Sequence, residues 1–200
     1  MVASAPAAAR NASPIFEVLK RELPDPCTLA EIGSGTGLHA ARAETELPFV
    51  EWHPSELPAS LPRLTASLSE TAPEIAERAF ALDVDQSIGR RGDFDAVFSC
   101  NTAHIMSSDS VARMFQRVRE LTRGDATFLL YGPFLLDGRY TSEGNAQFDS
   151  HLRAKNPAMG LRRIEELEEF AGSAGFSRLR LYGMPSNNLL VVWQRQTKRP

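Results

Sequence analysis

Thr28-Leu29-Ala30-Glu31-Ile32-Gly33-Ser34-Gly35-Thr36-Gly37 is a short apolar run, acidic near its end, that passes directly into three alternating glycines. This is how a first β-strand feeds a glycine loop in a nucleotide-type α/β fold. Glycine has no Cβ and takes φ > 0 freely, so such a loop can turn sharply and lie against a ligand. The spacing is G-x-G-x-G, with Glu31 two residues before it. It differs from the G-x-G-x-x-G dinucleotide fingerprint.

Working outward, the pattern alternates strands with helices. Ser13-Pro14 reads as an N-cap followed by proline at the first helical position, and Ile15, Phe16, Val18 and Leu19 give that helix its apolar stripe up to Pro24. The first strand is Leu29 to Ile32. A helix runs from the glycine loop through Ala40, Ala41 and Ala43 to Pro48. A short strand lies around Phe49 to Trp52, a proline-punctuated helix near Leu57 to Glu70, and a third strand at Phe80 to Val84. Asp95 to Cys100 is an apolar run suited to a parallel sheet covered on both faces. Ser108 is placed to cap the next helix, whose stripe is Val111, Met114, Phe115, Val118 and Leu121.

Thr127 to Tyr131 reads as a fifth strand, broken by Gly132-Pro133. The polar connection Leu135 to Leu161 exceeds ordinary loop length, which predicts a lid or binding loop. Ile164, Leu167, Phe170, Ala171 and Ala174 mark a last helix closed by Gly175. Leu179 to Tyr182 and Leu189 to Trp193 read as two strands. A short loop between them makes that pair antiparallel. The expectation is one α/β domain over residues 1–200, with Met1 to Ala9 poorly ordered. Its plan is a doubly wound, mostly parallel seven-stranded sheet ending in an antiparallel hairpin, that of the Rossmann-like class I methyltransferases.

Composition bounds the function. The 200 residues are 42% hydrophobic and 24% charged, with net charge −3, which gives no general attraction to nucleic acid or anionic membrane. Cys27 and Cys100 have no metal-ligand spacing and form no disulfide framework, so a reducing, cytoplasmic compartment is the expectation and no metal is called for. No apolar run is long enough to span a bilayer. Met1 to Ala9 lacks the basic and long apolar regions of a signal peptide.

The glycine spacing points to S-adenosylmethionine rather than a nicotinamide. That ligand needs acceptors for an ammonium and a ribose diol, donors for a carboxylate, and an apolar slot for adenine. Gly33, Ser34, Gly35 and Gly37 form the loop, and Glu31 is placed to face the ammonium, directly or through water. Glu56, after the second strand, is the candidate for the ribose hydroxyls, with His53 as a competitor. Asp83 and Val84 close the third strand, where adenine would lie; the alternative for Asp83 is a cap on loop backbone. Asn101 and His104 follow the fourth strand, at the crevice where α/β folds gather ligands. His104 is the candidate general base, because an imidazole of ordinary pKa, about 6.5, titrates near neutrality. Asn101, a candidate to orient either the acceptor or the donor's methionine part, and Tyr131 complete the catalytic candidates. Arg10, Asn11, Tyr131, Asn145, Phe148, Arg162, Asn187 and Asn188 are the candidates for an acceptor pocket.

Several segments occur in order: Ala9-Arg10-Asn11-Ala12-Ser13-Pro14-Ile15, Glu31 to Ala40, Trp52-His53-Pro54-Ser55-Glu56, Asn101-Thr102-Ala103-His104-Ile105, Tyr131-Gly132-Pro133-Phe134, Asn145-Ala146-Gln147-Phe148-Asp149 and Met184 to Leu189. Together they resemble the family of predicted S-adenosylmethionine-dependent methyltransferases that includes methyltransferase-like protein 26. The chain departs from that family at Glu56 (usually aspartate), His53 (usually glutamine), Gly144 (commonly serine) and Met106-Ser107-Ser108 (a Ser-Pro-Trp-like run). The resemblance implies the fold and the methyl donor, but no particular acceptor. A small-molecule substrate is expected, with no nucleic acid and no membrane, and oligomeric state is left open. The competing readings are a non-catalytic module that binds the same donor and, further off, a nicotinamide-dependent oxidoreductase.

Overall fold

The computed structural model describes residues 5–87, 89 and 91–196, with the side chains of residues 5–10 outside that description. The elements in order are α1 (Ala5–Glu22), β1 (Cys27–Ile32), α2 (Leu38–Glu46), β2 (Val50–Glu56), α3 (Leu61–Thr71), α4 (Pro73–Ala76), β3 (Phe80–Ala81), β4 (Phe94–Cys100) and α5 (Ser108–Leu121). There follow β5 (Thr122–Gly132), β6 (Phe134–Leu136), β7 (Arg139–Tyr140), α6 (Glu143–Lys155), β8 (Arg162–Arg163), α7 (Ile164–Ser173), β9 (Ser177–Met184) and β10 (Asn188–Arg195).

Seven strands form one sheet in the order β3-β2-β1-β4-β5-β10-β9. The first five are parallel; β10 enters antiparallel between β5 and β9, with Trp193 opposite Phe128. The expected architecture is therefore observed. Successive residues of a strand face opposite sides, and the two cores follow that alternation. Leu29, Trp52, Phe98, Leu129 and Val192 pack under α1, α2 and α3, whereas Ala30, Val97, Phe128, Val191 and Trp193 pack under α5 and α7.

Local differences from the sequence reading have local causes. The first helix starts at Ala5, with Pro14 inside it rather than at its start. Alanine is the strongest helix former, and Ala5 to Ala9 extends the helix upstream of the proline. Of Met1 to Ala9, expected to be poorly ordered, Ala5 to Ala9 lies in this helix, and residues 1–4 lie outside the described residues. The third strand ends at Ala81, because Asp83 Oδ1 accepts from Asp85 N–H at 2.9 Å and turns the chain. The cap of α5 is Ser107, whose hydroxyl accepts from Ser110 N–H at 3.0 Å; Ser108 instead donates to Glu166.

The connection after β5 is structured rather than a loop. It holds a small sheet, β7-β6-β8, and the helix α6. Ser142 caps α6 by accepting from Asn145 N–H at 3.1 Å. The buried face of α6 is Asn145, Asp149 and Leu152. That spacing is helical, but two of the three residues are polar, so hydrophobic periodicity is blind to it.

Candidate functional site

Strand order reverses between β1 and β4, and their carboxyl ends open the crevice where ligands sit in such sheets. The glycine loop crosses it. Gly33, Gly35 and Gly37 have φ of 72°, 62° and 82°, yet their surroundings differ. A Cβ at Gly33 would lie 2.6 Å from Thr102 Cγ2, and one at Gly37 would lie 2.6 Å from Leu68 Cδ2. At Gly35 nothing lies within 4 Å. The outer glycines let protein pack on the loop; the middle one leaves an open cradle. Ser34 is buried and fastens the loop to β2, donating N–H to Ser55 O at 2.9 Å and accepting Ser55 N–H on Oγ at 3.1 Å. Gly37 precedes α2 with no side-chain cap, so the first N–H groups of that helix face the same crevice without intrahelical partners.

Glu56 ends β2 over the cradle. Its carboxylate accepts from Gly35 N–H at 2.9 Å and Leu57 N–H at 3.0 Å. A carboxylate has about four acceptor sites, so capacity remains for a diol. His53 does not compete for this place: its Nε2 meets Glu51 Oε1 at 2.7 Å and its ring lies against Phe94. Asp83 makes the turn described above, and Val84 is buried with its carbonyl accepting from Arg117 Nε at 3.2 Å.

Glu31 is turned inward, away from the open crevice. It is 1% exposed, accepts from Trp52 Nε1 at 3.0 Å and lies 3.4 Å from His39 Nδ1. Phe16, Trp52 and Phe98 enclose the pair. Burial opposes charge on the His39 ring, but the Cys100 thiol and then the Glu31 carboxylate outweigh it, raising its pKa to about 10. Helix α2 brings His39 back over β1 in a way no local sequence pattern encodes.

Asn101 has φ of 59°, an uncommon conformation that asparagine tolerates. Its N–H donates to Tyr131 O at 2.9 Å, and its Nδ2 lies 3.4 Å from Cys100 Sγ. Thr102, which the sequence did not single out, closes this corner by bonding Ser99 Oγ at 2.7 Å and packing on Gly33.

His104 sits in the short helical turn Ala103–Ile105, with Phe148 edge-on at 5.2 Å. Burial and then the nearby Arg162 charge lower its pKa to about 4. The ring is therefore neutral at physiological pH and a weaker base than the sequence suggested. The unfolded chain binds this proton near pH 6.5 and the folded protein only near 4, so stability falls as pH drops between those values. The loss is about 3 kcal/mol, at 1.36 kcal/mol per pKa unit. His39 has the opposite sign: its contribution is complete below pH 6.5 and is lost as pH rises toward 10. His104→Gln is expected to flatten the acid limb of urea-unfolding stability measured from pH 7 to 4.5, leaving the alkaline limb unchanged.

The remaining candidates divide. Phe148 and Ile105 are 37% and 45% exposed beside His104. Tyr131, by contrast, is 1% exposed, and its hydroxyl accepts from Asn188 Nδ2 at 2.9 Å; burial pushes its pKa up, so it is no base near neutrality. Asn145 is buried and donates to Thr141 Oγ1 at 2.7 Å and Asn187 O at 3.1 Å, joining α6 to the β9–β10 turn. Asn187 is exposed in that turn. Arg162 is buried and gives its donors to the carbonyls of Ala103 (3.3 Å), Met106 (2.6 Å) and Ala158 (2.7 Å). It is a strut for the His104 turn rather than an open substrate contact. Asn11 lies in α1, half-buried, and not in a lid; the side chain of Arg10 lies outside the described residues. Among the described residues no group of three or more His, Cys, Asp or Glu is placed to hold a metal ion, and no helix is long and apolar enough to cross a membrane.

Solved structures share the fold. An O-methyltransferase family protein from Burkholderia thailandensis superposes with a TM-score of 0.78 at 17% identity, over 97% of this chain and 59% of that one. PigF with SAH gives 0.76 at 19% identity, over 96% and 64%. The pyocyanin biosynthetic protein PhzM gives 0.72 at 20% identity, over 94% and 55%. The chain thus spans little more than half the length of these proteins. A family model described as "Protein of unknown function (DUF938)" matches residues 2–195, and the chain belongs to that family.

Proposed function

We propose that the protein is an S-adenosylmethionine-dependent methyltransferase acting on a small-molecule acceptor, allied to the group that includes methyltransferase-like protein 26. The observation that carries this reading is the open cradle at Gly35, under the Glu56 carboxylate and at the reversal of strand order. The fold shared with methyltransferases supports it. When bound, the donor supplies an activated methyl group on a sulfonium. Glu56 takes the ribose hydroxyls, the Asp83–Val84 turn borders adenine, and the uncapped end of α2 meets the carboxylate. Glu31 acts from behind the loop: with its carboxylate sealed, it fixes β1 and α2 through Trp52 and His39 rather than touching the ammonium.

Transfer from a sulfonium is an in-line substitution, so the protein's main work is alignment, a source of about 7–11 kcal/mol in favourable cases. Asn101 lies at the crevice to orient the acceptor. His104 accepts a hydrogen bond from an acceptor hydroxyl or amine, with Phe148 and Ile105 as the apolar rim. We place the protein in the cytoplasm, where Cys27 and Cys100 stay reduced.

Calorimetry with S-adenosylmethionine tests the site. His104→Ala is expected to bind the donor as the unmodified protein does while turnover falls on the order of a hundredfold. Absence of binding to the unmodified protein overturns the reading. A second reading, a donor-binding module without turnover, is favoured by one observation: Tyr131, Arg162 and Asn145 are already satisfied within the protein. Methylated product in a screen of small acceptors excludes it. A nicotinamide enzyme fits neither the glycine spacing nor the antiparallel β10; stabilisation by NAD alone would reverse that order.

A further inference from the structure

The histidines differ in what stands beside them. His39 Nδ1 lies 3.4 Å from Glu31 Oε1, and His53 Nε2 lies 2.7 Å from Glu51 Oε1. His104, at the crevice, has no carboxylate within ion-pair distance and no side-chain hydrogen bond among the described residues. Its ring is 8% exposed, yet its nitrogens are not among the buried polar atoms left without a partner, so they open to solvent. The turn that carries it is pinned, with Gly160 N–H donating to His104 O at 3.0 Å and Arg162 holding the carbonyls of Ala103 and Met106. The charged groups around Arg162 are Asp149 and Arg153 from α6 and Glu166 from α7. Both carboxylates are engaged, Asp149 by Arg153 and Glu166 by Ser108. The surface beside the ring is apolar, formed by Phe148 and Ile105.

A histidine that takes a proton during a reaction is steadied by a third group, ordinarily a carboxylate, that supports the imidazolium. His104 has the position to meet an acceptor but lacks that support, and its lowered proton affinity agrees. It is equipped to receive a hydrogen bond and not to keep the proton. We infer that the methyl acceptor is an uncharged aromatic or heteroaromatic amine, methylated on nitrogen while its N–H is held by His104. This deepens the methyl-donor reading above and rests on it. A hydroxyl has to shed its proton to become a strong nucleophile, whereas a neutral nitrogen attacks with its lone pair and still has an N–H to give. An alkyl amine is protonated near neutrality. It then has no lone pair to use and finds no open carboxylate here. An amine on an aromatic ring is uncharged, and its ring suits the Phe148–Ile105 rim. In the transfer the nitrogen lone pair forms the new bond to the methyl carbon. The carbon–sulfur bond breaks with its electron pair left on sulfur. The positive charge passes to nitrogen, which then gives its proton to water.

The test offers S-adenosylmethionine and matched ring probes, 4-ethylaniline against 4-ethylphenol, together with cyclohexylamine and the readily ionised 4-nitrophenol. Methylated products are read by mass spectrometry. The aniline is expected to exceed both phenols in kcat/KM by more than about tenfold, with no product from cyclohexylamine. With 4-ethylaniline, His104→Gln is expected to recover at least about tenfold of the turnover lost in His104→Ala, because the glutamine carbonyl accepts a hydrogen bond but takes no proton. If the variants fail to fold, the ranking of probes in the unmodified protein decides. Methylation of either phenol ahead of the aniline, product from no probe while the donor binds, or a folded glutamine variant as slow as the alanine one overturns the inference. Failure of S-adenosylmethionine to bind, read by calorimetry without any probe, overturns the methyl-donor reading and this inference with it.

Discussion

Gly35→Val is expected to fold and to lose donor binding, whereas Gly37→Val is expected to lose several kcal/mol of stability. Both glycines have positive φ, so either valine costs about 1–2 kcal/mol of backbone strain. The difference lies above the backbone. At Gly35 the new side chain enters open space and fills the cradle. The Gly35 N–H still reaches Glu56, so the loop is not undone. At Gly37 the new Cβ falls 2.6 Å and 2.7 Å from Leu68 Cδ2 and Cγ, inside the core under α3. Overpacking of that kind adds about 1–3 kcal/mol. Urea unfolding and donor calorimetry on both variants check the contrast. Normal donor affinity in Gly35→Val would refute the cradle as the donor site.

Arg162→Leu is expected to cost about 3 kcal/mol, because three carbonyls, that of Ala103 buried and those of Met106 and Ala158 partly so, lose a charged donor. It also removes the positive charge that helps hold His104 low. The His104 pKa, followed by NMR, is then expected to move up toward its ordinary value. A substrate-contact role for Arg162 predicts the reverse: unchanged stability and an unmoved His104, with only turnover impaired. The two outcomes are separated by measurements that need no knowledge of the acceptor.

The alternation of strands and helices, the antiparallel end and the glycine loop were legible because each has a short-range chemical signature. Apolar runs of strand length alternate with stripes such as Val111, Met114, Phe115, Val118 and Leu121, all fully buried. The α6 helix escaped because its inner face carries Asn145 and Asp149. Asp149 is satisfied by Arg153 Nε (2.9 Å), one turn along the helix, and by Tyr140 OH (2.8 Å) and Leu161 N–H (2.7 Å), two partners that only tertiary folding supplies. The same holds at the site. Residue type placed Glu31, His104, Tyr131 and Arg162 near the crevice, but their direction depended on contacts distant in sequence. Glu31 turned to His39 and Trp52, and Arg162 to the backbone of the His104 turn.

The insertion of β10 between β5 and β9 has a bearing on biosynthesis. While the ribosome is still making the segment before Asn188, β5 is a naked hydrophobic border with nothing to zip against. Its Phe128, Leu129 and Leu130 then resemble the sticky rim of an unfinished barrel stave, the kind of surface that invites clumping and draws chaperones. Emergence of the Leu189 to Trp193 segment covers that border of β5 and pairs with β9 through one and the same strand.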